Sequence, residues 1–210
     1  MHRHGFGGFE GPTQTSAQIH GHLNKMRKAI RNLTSGHPMP YRGRTYSLEI
    51  RKTLDKPQVK IDGDRLTVNF YKEHPEVPVQ VPLVKWYRRK SQHYIISRTA
   101  YWSEEMGLSF NKIFIKDQDS RWGSCSSLRN LNFNWRIIMA PDEVIDYLLI
   151  HELAHLKEMN HSTAFWKLVA QYDPEYKLHR QWLKDNGKAI FLLLPKLPVS
   201  LLDSIFFHVD

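Results

Sequence analysis

The sequence predicts an α+β domain, with short strands in its first third and helices after them. Three observations carry this reading. Residues 45–70 alternate apolar and polar side chains in short runs with a turn signal among them. A long helical pattern then fills about 82–106. Beyond Pro141 three further helical patterns follow, the first of them so apolar that it must lie buried.

Taken in order, TYSLEIR (45–51), QVKID (58–62) and RLTVNF (65–70) read as strands of a small, mostly antiparallel sheet. The DGD between the last two supplies an Asp-Gly hairpin turn. Pro75, Pro78 and Pro82 lead into the long helix, which ends near Gly107. Leu83, Trp86, Tyr87, Tyr94, Ile95 and Trp102 form its apolar stripe. Lys85, Arg88, Arg89, Lys90 and Arg98 form a basic face, which is either solvated or bound to phosphate. KIFIKD (112–117) reads as a strand and RWGSCSS (121–127) as a tight turn shaped by Trp122 and Gly123. The strand LNFNWRII, near 130–138, offers Asn132, Phe133 and Asn134 as an edge for an extended peptide. Pro141 opens a helix, with Asp142 and Glu143 beside its positive end, and the pattern runs to about Met159. Two more helices are predicted at 162–172 and 174–186, the last stopping at Asn186-Gly187. The apolar tail FLLLPKLPVSLLDSIFF (191–207) is broken by two prolines, so it cannot span a membrane as one helix and is expected to pack on the body.

With 210 residues there is room for one domain and some appendages, and 41% hydrophobic with 24% charged residues is ordinary for a soluble protein. A single cysteine, Cys125, excludes an intramolecular disulfide and suits a reducing compartment. No apolar run reaches membrane-spanning length, and MHRHGFGGFEG lacks the apolar middle of a secretory signal. The expectation is a cytoplasmic protein without a membrane partner. The net charge of +9 is uneven, for residues 1–45 hold seven basic residues against one acid. Expected organisation is a flexible basic arm (1–44), a domain (45–190) and an apolar extension (191–210). The arm is a solvated tail or, with the basic helix at 85–98, a contact for nucleic acid.

The chemistry is concentrated in IDYLLIHELAHLKEMNHSTAFW (145–166). His151 and His155 stand four apart, so on a helix they share one face about 6 Å apart. Two imidazoles so placed can grip one zinc ion (Zn2+). Glu152 lies at the rim of that face, where a carboxylate reaches a metal-bound water and can take its proton as general base. A third histidine, His161, would lie about 15 Å from the first if the helix continued. The helix must end and the chain fold back; Asn160 suits a left-handed reversal, and Ser162 or Thr163 can cap the next helix. Tyr147, one turn before His151, either steadies an oxyanion or packs. Glu158 either accepts a proton from a ligand histidine or makes a solvent ion pair, and Cys125 reads as a small buried side chain.

RWGSCSS, APDEVIDYLLIHELAHLKEMNHSTAFW and DPEYKLHRQWLKDNG resemble the YgjP-like metallopeptidase family, from about Tyr46 to Gly187. More distantly the histidine spacing is similar to WLM and SprT-type proteases and to metzincins, departing from metzincins at Glu158, where that group has glycine. The resemblance implies a zincin-like fold, metal ligands His151, His155 and His161, and Glu152 as general base. The expected function is zinc-dependent hydrolysis of a peptide bond in a peptide or protein substrate. A zinc-dependent pyrophosphohydrolase of nucleoside triphosphates is the alternative enzyme. A nucleic-acid-associated module with structural zinc is the non-catalytic one.

Overall fold

The computed structural model describes residues 33–53, 58–71, 78–197 and 202. The basic segment 1–32, with the expectation of nucleic-acid contact attached to it, lies outside the described residues, as do 198–201 and 203–210 of the apolar tail.

Seven strands and four α-helices are found among the described residues, and the strands form two sheets rather than one. β1 (Pro38–Tyr41), β2 (Arg44–Thr53), β3 (Gln58–Asp62) and β4 (Arg65–Tyr71) make a sheet of order β1-β2-β4-β3. The Asp62-Gly63 turn joins β3 to β4 as expected, with Gly63 at φ 60°. That hairpin folds β4 back between β3 and β2, so β4 runs parallel to β2 while both outer pairings are antiparallel. Residues 38–41, assigned from sequence to the arm, are therefore an edge strand. Its turn to β2 places Arg42 and Gly43 both at positive φ, 47° and 74°, the backbone a two-residue hairpin demands.

This turn docks on the rest of the domain. Arg42 N donates to the Ile138 carbonyl at 2.9 Å. Its guanidinium forks onto both oxygens of Asp142, at 2.8 and 2.5 Å, and lies 4.3 Å from the centre of the Tyr94 ring. Gly43 sits so close to Pro141 that a Cβ would stand 3.1 Å from its Cα. The hairpin thus clamps the start of α2 (Asp142–Ala154).

α1 (Gln80–Glu105) is buried almost all round in its first two turns, from Gln80 to Val84, and keeps one buried face at Trp86, Tyr87, Ser91, Ile95 and Thr99. Tyr87 Oη donates to the Pro40 carbonyl at 2.8 Å, tying the helix to β1. The basic face is largely spoken for. Arg98 forks onto Asp146 of α2 at 2.7 and 2.6 Å, Arg88 reaches Asp117 at 3.4 Å, and Lys90 lies over Trp86. Ion pairing inside the domain accounts for Arg88 and Arg98.

The second sheet has the order β5-β7-β6, from β5 (Ile113–Lys116), β6 (Gly123–Cys125) and β7 (Leu131–Asn134). Two sequence expectations change here. The GSC of RWGSCSS is a strand and not merely a turn. β7, expected to offer a free edge at 132–134, is the central strand, and β6 is an edge. After Asn134 the chain tightens into a 3₁₀ turn (Trp135–Met139) rather than continuing extended, because the buried Asn134 side chain caps it, accepting from Arg136 N at 3.1 Å.

α3 (Thr163–Tyr172) and α4 (Tyr176–Leu193) complete the domain. α4 runs past the expected stop: Gly187 lies inside it, buried, where a Cβ would meet the Trp122 ring at 3.3 Å. The glycine is there for close packing and not for a cap. Leu194, Leu197 and Leu202 are buried, in keeping with packing of the apolar tail. No helix among the described residues is long and apolar enough to cross a membrane.

Arg136 is 3% exposed, pairs with Asp117 and donates to the Leu194 carbonyl at 3.1 Å. Removing its carboxylate leaves a buried charge unpaired, which costs roughly 3–5 kcal/mol. Asp117→Ala is expected to lower the unfolding free energy by that much, read as a fall in urea midpoint at constant slope, with Asp117→Asn intermediate. Equal midpoints for wild type and Asp117→Ala would show that the pair contributes nothing net.

Candidate metal centre

α2 is mostly buried, through Val144, Ile145, Leu148, Leu149, Ile150 and Leu153. Burying each such side chain contributes roughly 1.5–3 kcal/mol, enough to hold polar groups in a place they would not choose. His151 and Glu152 are carried near its end, and His155 is the residue that closes it, at φ −63° and ψ −18°. The helix therefore ends five residues before the expected Met159. Leu156 N bonds the Leu153 carbonyl, and Lys157 N and Glu158 N both turn onto that of Ala154, at 2.9–3.0 Å. Asn160 is not left-handed: only Arg42 and Arg129 have positive φ among the described non-glycine residues. The reversal is made instead by Ser162 N bonding the Asn160 carbonyl at 2.7 Å. Ser162 Oγ then accepts from Phe165 N at 3.3 Å, capping α3 as its sequence suggests.

The reversal brings three imidazoles together. Ring centres of His151, His155 and His161 stand 5.0, 5.0 and 4.8 Å apart. One nitrogen from each falls within a group spanning no more than 4.8 Å. His151 Nε2 and His161 Nε2 are 3.1 Å apart, close to the ~3.3 Å that separates two nitrogens bound to one tetrahedral zinc ion. His155 Nδ1 lies 3.1 Å from the Glu158 carbonyl, so its other nitrogen is free to face the group. Glu158 thus acts on His155 through its main chain and not, as expected, through its carboxylate. Burial first, then the neighbouring imidazoles and Arg180, push His151 down to about 3, so the ring is neutral and its lone pair available. A converging, nitrogen-only donor set fits zinc.

Residues that sequence reasoning missed hold this set in place. Phe165, fully buried, lies 4.9, 4.6 and 4.8 Å from the three imidazole centres and forms their floor. Trp166 stacks on exposed His161 at 5.5 Å and 20°, and Tyr176 stacks on Trp166 at 5.2 Å. Phe165 and Trp166 follow His161 by only four and five residues, and that closeness is the signal that could have found them.

Glu152 is 4% exposed, and its Oε2 has no hydrogen-bond partner. Burial raises its carboxyl to about 8. An unpartnered buried carboxyl is costly, and such groups concentrate where chemistry needs them. Its room is made by Gly123 of β6, where a Cβ would lie 2.6 Å from Glu152 Oε1. Tyr147, edge-on to His151 at 5.8 Å, keeps its proton because burial raises it to about 12. Cys125 is half-buried, raised by burial and then by Glu152, and stays a thiol outside the histidine group. His151, Glu152 and Tyr147 line a cleft of about 380 Å³ with Arg121, Arg180 and Lys184.

The chain matches the family described as YgjP-like, metallopeptidase domain, over residues 13–186. It belongs to that family. A curated relative, the UTP pyrophosphatase of Escherichia coli (strain K12), is 43% identical over 37 residues, 18% of this chain and 22% of the relative. The match thus spans about a fifth of that relative's length. The crystal structures of two metallopeptidase zymogens are also similar. Pyrococcus abyssi abylysin shares 22% identity at a TM-score of 0.40, over 45% of this chain and 93% of its own. Methanocaldococcus jannaschii jannalysin shares 24% at 0.39, over 45% and 96%.

Two outcomes are expected from the geometry of this YgjP-like site. Gly123→Ala forces the Glu152 carboxylate aside; zinc content should hold while turnover falls about 100-fold, the usual effect of displacing a reacting group by an ångström. Unchanged turnover would show that Glu152 does not act from this position. The second concerns the metal-free protein. Glu152, raised from 4.5 to about 8, contributes stability that is complete below pH 4.5 and lost as the pH rises toward 8. His151, lowered from 6.5 to about 3, contributes stability above pH 6.5 that is lost as the pH falls. Glu152→Gln removes only the first slope. Metal-free Glu152→Gln should therefore exceed metal-free wild type at about pH 8, by at most roughly 4 kcal/mol, with the gap closing near pH 5. Melting curves that run parallel across this range would contradict a protonated Glu152.

Proposed function

We propose that this metal-dependent hydrolase uses zinc held by His151, His155 and His161, with Glu152 as general base, and that it cleaves peptide bonds. The observation that carries the reading is the convergence of three imidazoles beside a buried carboxyl with no partner. When bound, the ion supplies Lewis acidity toward a water and toward the bond under attack. Glu152, when ionised, would accept a proton from a water at the site and return it to the leaving group; burial, which raises its carboxyl, favours the second act. Tyr147, still protonated, is the nearest donor for a developing oxyanion. Edge strand β6, whose Gly123 touches Glu152, supports a peptide substrate, since an extended chain can pair along it.

A second reading has its own support. Arg121, Arg180 and Lys184 line the cleft beside His151 and Glu152, and a phosphoanhydride substrate would use them. The segment shared with the UTP pyrophosphatase favours the same chemistry. A purely structural zinc is disfavoured, because it would leave Glu152 buried without a task.

Zinc-loaded protein should hydrolyse members of a panel of peptides, folded proteins and nucleoside triphosphates, and lose this on chelation. Glu152→Gln should keep one zinc per chain and lose activity on the order of 10³-fold. Loss of the metal in that variant would make Glu152 a ligand and refute its assignment as base.

A further inference from the structure

Several cations of the domain sit in ion pairs: Arg42 with Asp142, Arg98 with Asp146, Arg136 with Asp117, Arg51 with Glu49 and Lys196 with Asp119. Arg121, Arg180 and Lys184 are set apart by being gathered: all are exposed, all line one cleft, and no described carboxylate pairs with any of them. The one carboxylate lining the same cleft is Glu152, which forms no ion pair with any of them. Arg180 is held in place from behind, its guanidinium 4.9 Å from the centre of the Trp166 ring.

Like charges gathered in one cleft repel each other, and a folded protein keeps them together when a bound anion relieves the repulsion. Guanidinium groups recognise planar or tetrahedral oxyanions through paired N–H donors, and an ammonium adds a movable point charge. We infer that Arg121, Arg180 and Lys184 form an anion subsite, which holds an oxyanion group of the substrate next to the bond that is cut. The inference rests on the three-histidine site being hydrolytic, but it concerns binding and not turnover. In a phosphoanhydride substrate the oxyanions are the phosphates flanking the bond. In a peptide they are an acidic side chain or a terminal carboxylate. Trp166 then couples two tasks, stacking on His161 with its ring and steadying Arg180.

The test measures binding to the full zinc-loaded chain by calorimetry, with zinc content checked afterwards. Two probes separate the sources: inorganic triphosphate, and a peptide pair differing only by Glu against Gln. Arg180→Ala and Lys184→Ala are compared with Arg89→Ala, an exposed arginine on α1 away from the cleft. Weaker triphosphate binding, by about tenfold for Arg180→Ala with Arg89→Ala unchanged, assigns the subsite to phosphate. If triphosphate is unaffected but the Glu-over-Gln preference disappears in Arg180→Ala, the subsite takes carboxylates. Both probes staying within twofold of wild type, or Arg89→Ala weakening them equally, overturns the inference and leaves only the diffuse attraction of a basic protein. Intact anion binding in a protein that hydrolyses nothing would refute the hydrolase reading while the subsite stands.

Discussion

Everything at the site depends on the burial of α2. An imidazole is useful to a metal only when it is neutral and aimed, and an apolar surround imposes both conditions. The same surround removes water from Glu152 and so raises its affinity for a proton. Neither group would choose that environment; the aliphatic side chains on the other faces of the helix put them there. The clamp on the helix start, where Arg42 meets Asp142, and the tie to α1, where Arg98 meets Asp146, fix its direction. These pairs contribute little energy for exposed or half-exposed charges, but their forked geometry sets orientation.

The sequence made the local parts of this arrangement legible. Four-residue spacing placed His151 and His155 on one face, and the need for a reversal before His161 followed from helix geometry alone. The Asp62-Gly63 hairpin and the extent of α1 were equally local. What could not be read was whatever depends on contacts distant in the chain. Residues 156–159 are good helix formers, so nothing local announces that α2 stops at Ala154. Gly187 reads as a stop, yet it is a contact surface for Trp122. β6 is three residues long and exists only through its pairing with β7, so its composition carries no strand signal.

The site's charges show the same limit. Arg180 and Lys184 lie one turn apart on α4 and are legible as neighbours, but Arg121 joins them from the approach to β6, nearly sixty residues earlier. Both segments were visible as motifs, and only the fold makes them two walls of one cleft. The overall basicity of the chain was, by contrast, a poor guide. On α1 two of the arginines, Arg88 and Arg98, are consumed by internal pairs, and a count of positive residues does not separate them from those lining the cleft.

The reversal after Ala154 has a consequence for the order in which the protein assembles. The first and last imidazoles are only ten residues apart, a loop that closes in roughly 10–100 ns. The cleft wall formed by α4 lies some thirty residues further on, and Gly187 must reach Trp122 before that wall exists. A nascent chain can therefore gather its nitrogen donors well before it can enclose a substrate. Gathering the three imidazoles and building the cleft wall are therefore separable steps in the folding of this chain.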